Sequence, residues 1–191
     1  MCHFLSSQQE INNHYLNDDC LEFCFIGRSN VGKSSLINAL ANKKIAKTSK
    51  TPGMTRSINF YDFKKYRLID LPGYGYAKAS KNTIKSFGDC INQTLNERRN
   101  LFGVFQIIDL GVITKQDVEI NKLIQKKFVN HYLILNKSDK YAKNYWNNNK
   151  KKILDVFGKK EDNFVIISTK KNINIKSIHK IINKLVENYA K

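Results

Sequence analysis

Long apolar runs are missing from this 191-residue chain. No stretch approaches the length that a helix needs to cross a bilayer. The opening residues Met1-Cys2-His3-Phe4-Leu5-Ser6 lack the basic-then-apolar order of a secretory signal. Cysteine is sparse and wrongly spaced for staples. Cys2, Cys20, Cys24 and Cys90 make neither a C-x-x-C pair nor a small-domain disulfide framework, so reduced thiols and a cytoplasmic location are expected. A metal site from Cys20, Cys24, His3 and His14 lacks a second ligand pair at a suitable spacing. Acidic residues are few as well: 16 Asp and Glu stand against 33 Lys and Arg, for a net charge of +17. Two explanations of that charge stand side by side. One is a polyanion partner, above all RNA; the other is compositional bias in a chain rich in Lys and Asn. No internal repeat and no linker to a second domain is visible. Residues 1–19 are polar and aperiodic and read as a flexible arm, and 20–191 as one domain with a sizeable core.

What is present centres on Gly27 to Ser34, G-R-S-N-V-G-K-S, a complete G-x-x-x-x-G-K-[ST] phosphate loop. A short apolar run, Leu21 to Ile26, precedes it, and Ser35 to Leu40 follows with helical spacing. In that context Gly27 and Gly32 let the backbone bring its N–H groups up to phosphate oxygens. The helix N-terminus adds partial positive charge. Lys33 is placed for the β- and γ-phosphates, and the Ser34 hydroxyl for a bridging Mg²⁺. Arg28, Ser29, Asn30, Val31 and Ser35 complete the expected loop contacts.

Four more motifs follow in the order that a GTPase requires. Asp70-Leu71-Pro72-Gly73 closes a strand; Asp70 suits Mg²⁺, through a water, and the Gly73 N–H suits the γ-phosphate. Thr55 lies in a polar segment with Gly53, Met54, Arg56 and Ser57, and its hydroxyl can complete the metal shell when triphosphate is bound. Thr51 competes with Thr55 for that role. Asn136-Lys137-Ser138-Asp139 follows a buried strand. The Asp139 carboxylate accepts the paired guanine N1–H and N2–H₂ donors that adenine lacks. Asn136 can tie this loop to the phosphate loop, and the Lys137 stem can lie along the base. Ser168-Thr169-Lys170 offers a backbone N–H to guanine O6. Lys33, Thr55, Gly73 and Asn30 are the candidate catalytic residues.

Hydrophobic periodicity supplies the frame. Strands are expected at 57–63 and 66–70, joined as a hairpin by Lys64-Lys65, and at 101–110, 132–135 and 164–167. Helices are expected at 80–99, 115–127, 141–157 and 175–189. Strands alternating with helices predict an α/β fold: a P-loop NTPase with a Ras-like G domain. Its sheet is expected to be mostly parallel and six-stranded, with one antiparallel strand and helices on both faces.

With these residues in view, the chain resembles the EngB bacterial GTPases. G-R-S-N-V-G-K-S-S-L-I-N-A-L, K-T-P-G-M-T-R-S-I-N-F and D-L-P-G-Y-G-Y-A-K carry the likeness, with N-K-S-D and S-T-K-K in the places of that family's guanine motifs. The resemblance covers the chain from Cys20 onward. It implies a cytoplasmic, monomeric protein that binds GTP and GDP with Mg²⁺. It also implies assistance to large ribosomal subunit assembly and a link to cell division and septation. One departure stands out: Asp109-Leu110-Gly111-Val112 replaces the basic, proline-containing turn usual in the family. Tyr74 stands where Ras-like proteins have a water-orienting Gln, so slow intrinsic hydrolysis is expected. Asn30 matches GTPases that bind K⁺ beside the phosphates. The alternatives are a division-associated switch acting on a protein and a P-loop kinase or ATPase; N-K-S-D argues against the latter.

Overall fold

The computed structural model describes residues 2–8, 18–48, 57–75, 81–128 and 130–190. Its elements run β1 (His3–Gln8), β2 (Glu22–Gly27), α1 (Lys33–Ala41), β3 (Ile58–Asp62), β4 (Arg67–Asp70), α2 (Lys81–Glu97) and β5 (Leu101–Asp109). Then follow α3 (Lys115–Gln125), β6 (His131–Asn136), α4 (Lys143–Phe157), β7 (Phe164–Ile166) and α5 (Ile175–Tyr189). The strands form one sheet in the order β1-β3-β4-β2-β5-β6-β7. β2 pairs in parallel with β4 and β5, β5 with β6, and β6 with β7. β3 runs antiparallel to both β1 and β4, so it is the one reversed strand among those described.

Among the described residues the sheet therefore has seven strands where the sequence pattern led us to expect six. The seventh, β1, lies within the stretch read as a flexible arm. Its register slips between Phe4 and Ser6, and this irregularity breaks the alternation that marks a strand in sequence. It is also an edge strand, held largely by backbone pairing to β3. The Ser7 and Ser57 hydroxyls add a bond at 2.6 Å, and Phe4 meets Tyr61 edge-on at 5.7 Å.

The central strands are buried on both faces, which is why they read as continuous apolar runs. Their residues still divide with period two. Phe23, Phe25, Phe105, Ile107 and Ile134 join Leu36, Leu40, Ile178 and Ile182, so α1 and α5 cover one face. Cys24, Ile26, Ile69 and Val104 join Ile91, Leu95 and Ile124 of α2 and α3 on the other. Ile108, Leu133 and Leu135 pack with Ile153 and Phe157 of α4. Full burial of one such side chain stabilises by about 1.5–3 kcal/mol. No helix among the described residues is long and apolar enough to cross a membrane.

The parallel register has one consequence for function. It aligns Phe25 with Asp70, Gly27 with Ile107, Asp109 with Asn136 and Leu135 with Ile166. The motif residues at the strand ends thus gather along one edge of the sheet, where such folds place ligands.

Candidate functional site

The phosphate loop begins where β2 ends. Gly32 caps α1 with φ +104°, a backbone conformation that a side chain resists, and a Cβ there would lie 2.3 Å from Asn136 Nδ2. Lys33 opens the helix and is buried; its ammonium donates to the carbonyls of Gly27 at 3.1 Å and Arg28 at 3.4 Å. Burial pushes the Lys33 pKa down, opposed by the nearby Asp70 charge. A buried ammonium that rests, among the described residues, on carbonyls has charge left for an anion. Val31 sits in the core, so its contribution to a ligand is through the backbone. Ser35 is the third residue of α1, and Asn30 takes φ +63° at the exposed tip of the loop.

Asp70 ends β4. It is buried and its Oδ2 accepts from the Ser34 hydroxyl at 2.9 Å, while Oδ1 has no hydrogen-bond partner among the described residues. Burial raises the Asp70 pKa, against the Lys33 charge and the Ser34 hydroxyl. An orphaned, buried carboxylate oxygen beside a serine hydroxyl is an oxygen donor set that fits Mg²⁺. Leu71 points into the core and Pro72 is buried, so this segment too offers its backbone. Gly73 lies close against the loop: a Cβ on it would sit 2.7 Å from Ser29 Cα and 2.9 Å from Lys33 Nζ.

At the other end of the edge, Asn136 joins three segments. Its amide donates to the Val31 carbonyl at 2.8 Å and the Thr169 hydroxyl at 3.3 Å. Its oxygen accepts from the N–H groups of Lys137 at 2.8 Å and Thr169 at 3.1 Å. The N-K-S-D turn, the S-T-K turn and the phosphate loop are thereby fixed to one another across more than a hundred residues of sequence. Asp139 accepts from the hydroxyl of fully buried Ser168. That bond, with smaller help from Lys170 and Lys140, holds the Asp139 carboxyl below its ordinary range. The result is a charged, partly exposed acceptor in a fixed place. Ser138 N–H donates to the Ile167 carbonyl at 3.1 Å. Lys137, at φ +67°, turns its ammonium to Asp109 at 2.8 Å.

Two expected site residues are placed elsewhere. The Arg28 side chain leaves the phosphate side and pairs with Asp117 of α3 at 3.0 Å. The Ser57 hydroxyl is engaged with Ser7 at the sheet edge. Gly53, Met54, Thr55 and Arg56, with Thr51, lie outside the described residues. Sequence inspection missed Asp117, Thr114 and Gln106, which surround Tyr74 and Arg28. A readable signal existed for two of them: Thr114-x-x-Asp117 is a capping box, and both of its reciprocal bonds are formed. The Tyr141 ring closes over Gly111, where any Cβ would collide with its hydroxyl.

Known proteins resemble this chain in sequence and in fold. A family model described as 50S ribosome-binding GTPase matches residues 22–137. The "Probable GTP-binding protein EngB" of Malacoplasma penetrans (strain HF-2) is 53% identical over 175 residues, 92% of this chain and 94% of the relative. Its namesake in Mycoplasmoides gallisepticum (strain R(low / passage 15 / clone 2)) is 50% identical over 163 residues, 85% of this chain and 88% of the relative. A crystal structure of a probable GTP-binding protein EngB superposes with a TM-score of 0.74 at 26% identity, covering 87% of this chain and 99% of that one. Identity at this level across nearly the whole length of the relatives places the chain: it belongs to the EngB family of GTP-binding proteins, within the 50S ribosome-binding GTPase family.

Proposed function

We propose that this protein binds GTP and GDP at the C-terminal ends of the parallel strands, hydrolyses GTP slowly, and uses the cycle to assist large ribosomal subunit assembly in the cytoplasm. Normal cell division and septation depend on that assistance. One observation carries the nucleotide choice. The Asp139 carboxylate is charged and oriented by Ser168, and Asn136 locks its turn to the phosphate loop. A base and its phosphates are therefore read by one rigid unit. A base lacking the guanine donor pair leaves that carboxylate unsatisfied, the strongest form of discrimination by hydrogen bonds.

The remaining roles follow from the residues. Lys33, released from the loop carbonyls, neutralises the β- and γ-phosphates. Ser34, and Asp70 through a water, would hold Mg²⁺, with Thr55 joining when triphosphate is bound. The bound cation supplies charge neutralisation on the phosphate oxygens. The Gly73 N–H meets the terminal phosphate, and the backbone of Ser168, Thr169 and Lys170 meets guanine O6. Tyr74, buried and bonded to Asp117, leaves its position without a water-orienting amide, which supports slow intrinsic turnover. Asn30 would help to hold a K⁺ ion, which would supply the stimulation that Tyr74 does not. The family's ribosome-binding description and the +17 charge support an rRNA-containing partner for a monomeric chain.

The test is direct. GDP should displace a fluorescent guanine nucleotide while ADP does not, and the triphosphate-bound protein should co-sediment with large-subunit particles in a salt-sensitive manner. ADP competing equally with GDP would falsify the nucleotide reading. Co-sedimentation that ignores the nucleotide state would remove the assembly role and favour a protein target. Hydrolysis at equal rates in KCl and NaCl would remove the K⁺ role.

A further inference from the structure

The phosphate loop is joined directly to the segment that follows Asp70. The Ser29 N–H donates to the Tyr74 carbonyl at 2.8 Å, and Arg28 and Tyr74 pair as an isolated parallel bridge. Side chains secure this junction from the side away from the phosphates. Arg28 Nε donates to the two Asp117 oxygens at 3.2 and 3.0 Å, and its terminal nitrogen donates to the Val112 carbonyl. The Tyr74 hydroxyl donates to Asp117 Oδ1 at 2.9 Å. Thr114 gives its N–H and its hydroxyl to Oδ2, each at 2.8 Å. Gln106 Nε2 donates to the Asp117 carbonyl at 2.7 Å and lies 3.4 Å from the Tyr74 hydroxyl. The Asp117 side chain has no solvent exposure, and Tyr74 retains 2%.

A buried ion pair is a poor device for stability, because apolar side chains of similar volume usually serve as well or better. What a satisfied polar network supplies is a unique arrangement. Here it fixes two segments, both belonging to the phosphate site, to the first turn of α3. One of them carries Gly73, which lies against Ser29 and Lys33. A displacement of Tyr74 moves the Gly73 N–H directly, since the two residues are adjacent in the chain.

We propose that Arg28, Asp117 and Tyr74 form a positioning cluster that sets how well the Gly73 N–H meets the terminal phosphate, and so sets the preference for GTP over GDP. The side chains of Arg28 and Tyr74 are positioning groups that act through the backbone. This rests on the guanine-nucleotide reading above and adds the element that tunes it.

Tyr74→Phe removes one oxygen and leaves the ring in place. Affinity for a non-hydrolysable GTP analogue should fall about tenfold, the scale of one hydrogen bond to a charged group. Affinity for GDP should stay within about twofold. Asp117→Asn should move the ratio in the same direction, because it weakens the Arg28 pairing as well. Thermal melts run beside the titrations separate this from a merely structural role, which lowers the midpoint and weakens both nucleotides alike. If Asp117→Asn does not fold, Tyr74→Phe still reports the ratio. A wild-type chain that binds both nucleotides, with a ratio unchanged in Tyr74→Phe, overturns the positioning cluster alone. A wild-type chain that binds neither nucleotide overturns the guanine reading and this inference with it.

Discussion

Two charge clusters, one at each end of the parallel strands, treat charge in opposite ways. At the starting ends, Glu22 is wholly buried and receives Arg98 at 2.6 and 2.5 Å, while Arg67 lies 3.8 Å from the same carboxylate and also grips Asp18. The Arg98 guanidinium rests 4.9 Å above the Phe60 ring. Each of these charges is answered by another side chain. At the finishing ends, Asp70 keeps an unpartnered oxygen, Lys33 leans on two loop carbonyls, and Asp139 is held by a hydroxyl. The contrast teaches how to tell a structural cluster from a binding one in the same sheet. Mutual satisfaction closes an end; charge supported by neutral groups leaves it open to a ligand.

The largest test of this comparison is at the closed end. Glu22→Ala strands Arg98 in a buried position and should remove about 3–5 kcal/mol of unfolding free energy in urea titrations. The folded fraction should bind GDP as before. Next comes the open end, where Asp139→Asn should weaken GDP about a hundredfold, near 3 kcal/mol, with little change in the melting midpoint. A GDP affinity untouched by that change would detach Asp139 from the base.

A smaller effect concerns His131, which is buried at the closed end with neither ring nitrogen hydrogen-bonded among the described residues. Burial pushes its imidazole down to about 3, with the Lys159 charge adding to the shift. The native ring stays neutral while the unfolded one gains a proton below its ordinary 6.5. Stability from this site is therefore intact above pH 6.5 and is lost as the pH falls toward 3. The loss approaches about 1.4 kcal/mol per pH unit. Urea midpoints of His131→Leu should fall less between pH 7 and pH 5 than those of the wild type. The smallest effect belongs to the exposed partner of the closed end. Asp18→Asn should remove less than about 1 kcal/mol, because water competes for that pair.

Much of this molecule was legible in its residues. The apolar runs at β5 and β6 gave their strands because burial on both faces demands such runs. The helix over 175–189 matched α5 in both bounds, because its isoleucines recur at helical spacing toward one face. The hairpin appeared as expected, with Lys64 at φ +67° in its turn. β1 was hidden, since a slipped edge strand with two serines carries no period. The direction of Arg28 was hidden as well. Nothing next to it in the chain states that Asp117 lies 89 positions on and yet 3.0 Å away.

The amino-acid sequence by itself determined which groups are available: a glycine loop with its lysine, an aspartate at a strand end, a carboxylate in N-K-S-D. Those depend on covalent order over a few residues, where local geometry is set by the chain. Only the tertiary structure decided which of them face one another. Asn136 meets Val31, Ser168 meets Asp139, and Tyr74 turns onto Asp117. Those meetings are made by the parallel register of strands distant in sequence, and no short stretch of chain encodes a register.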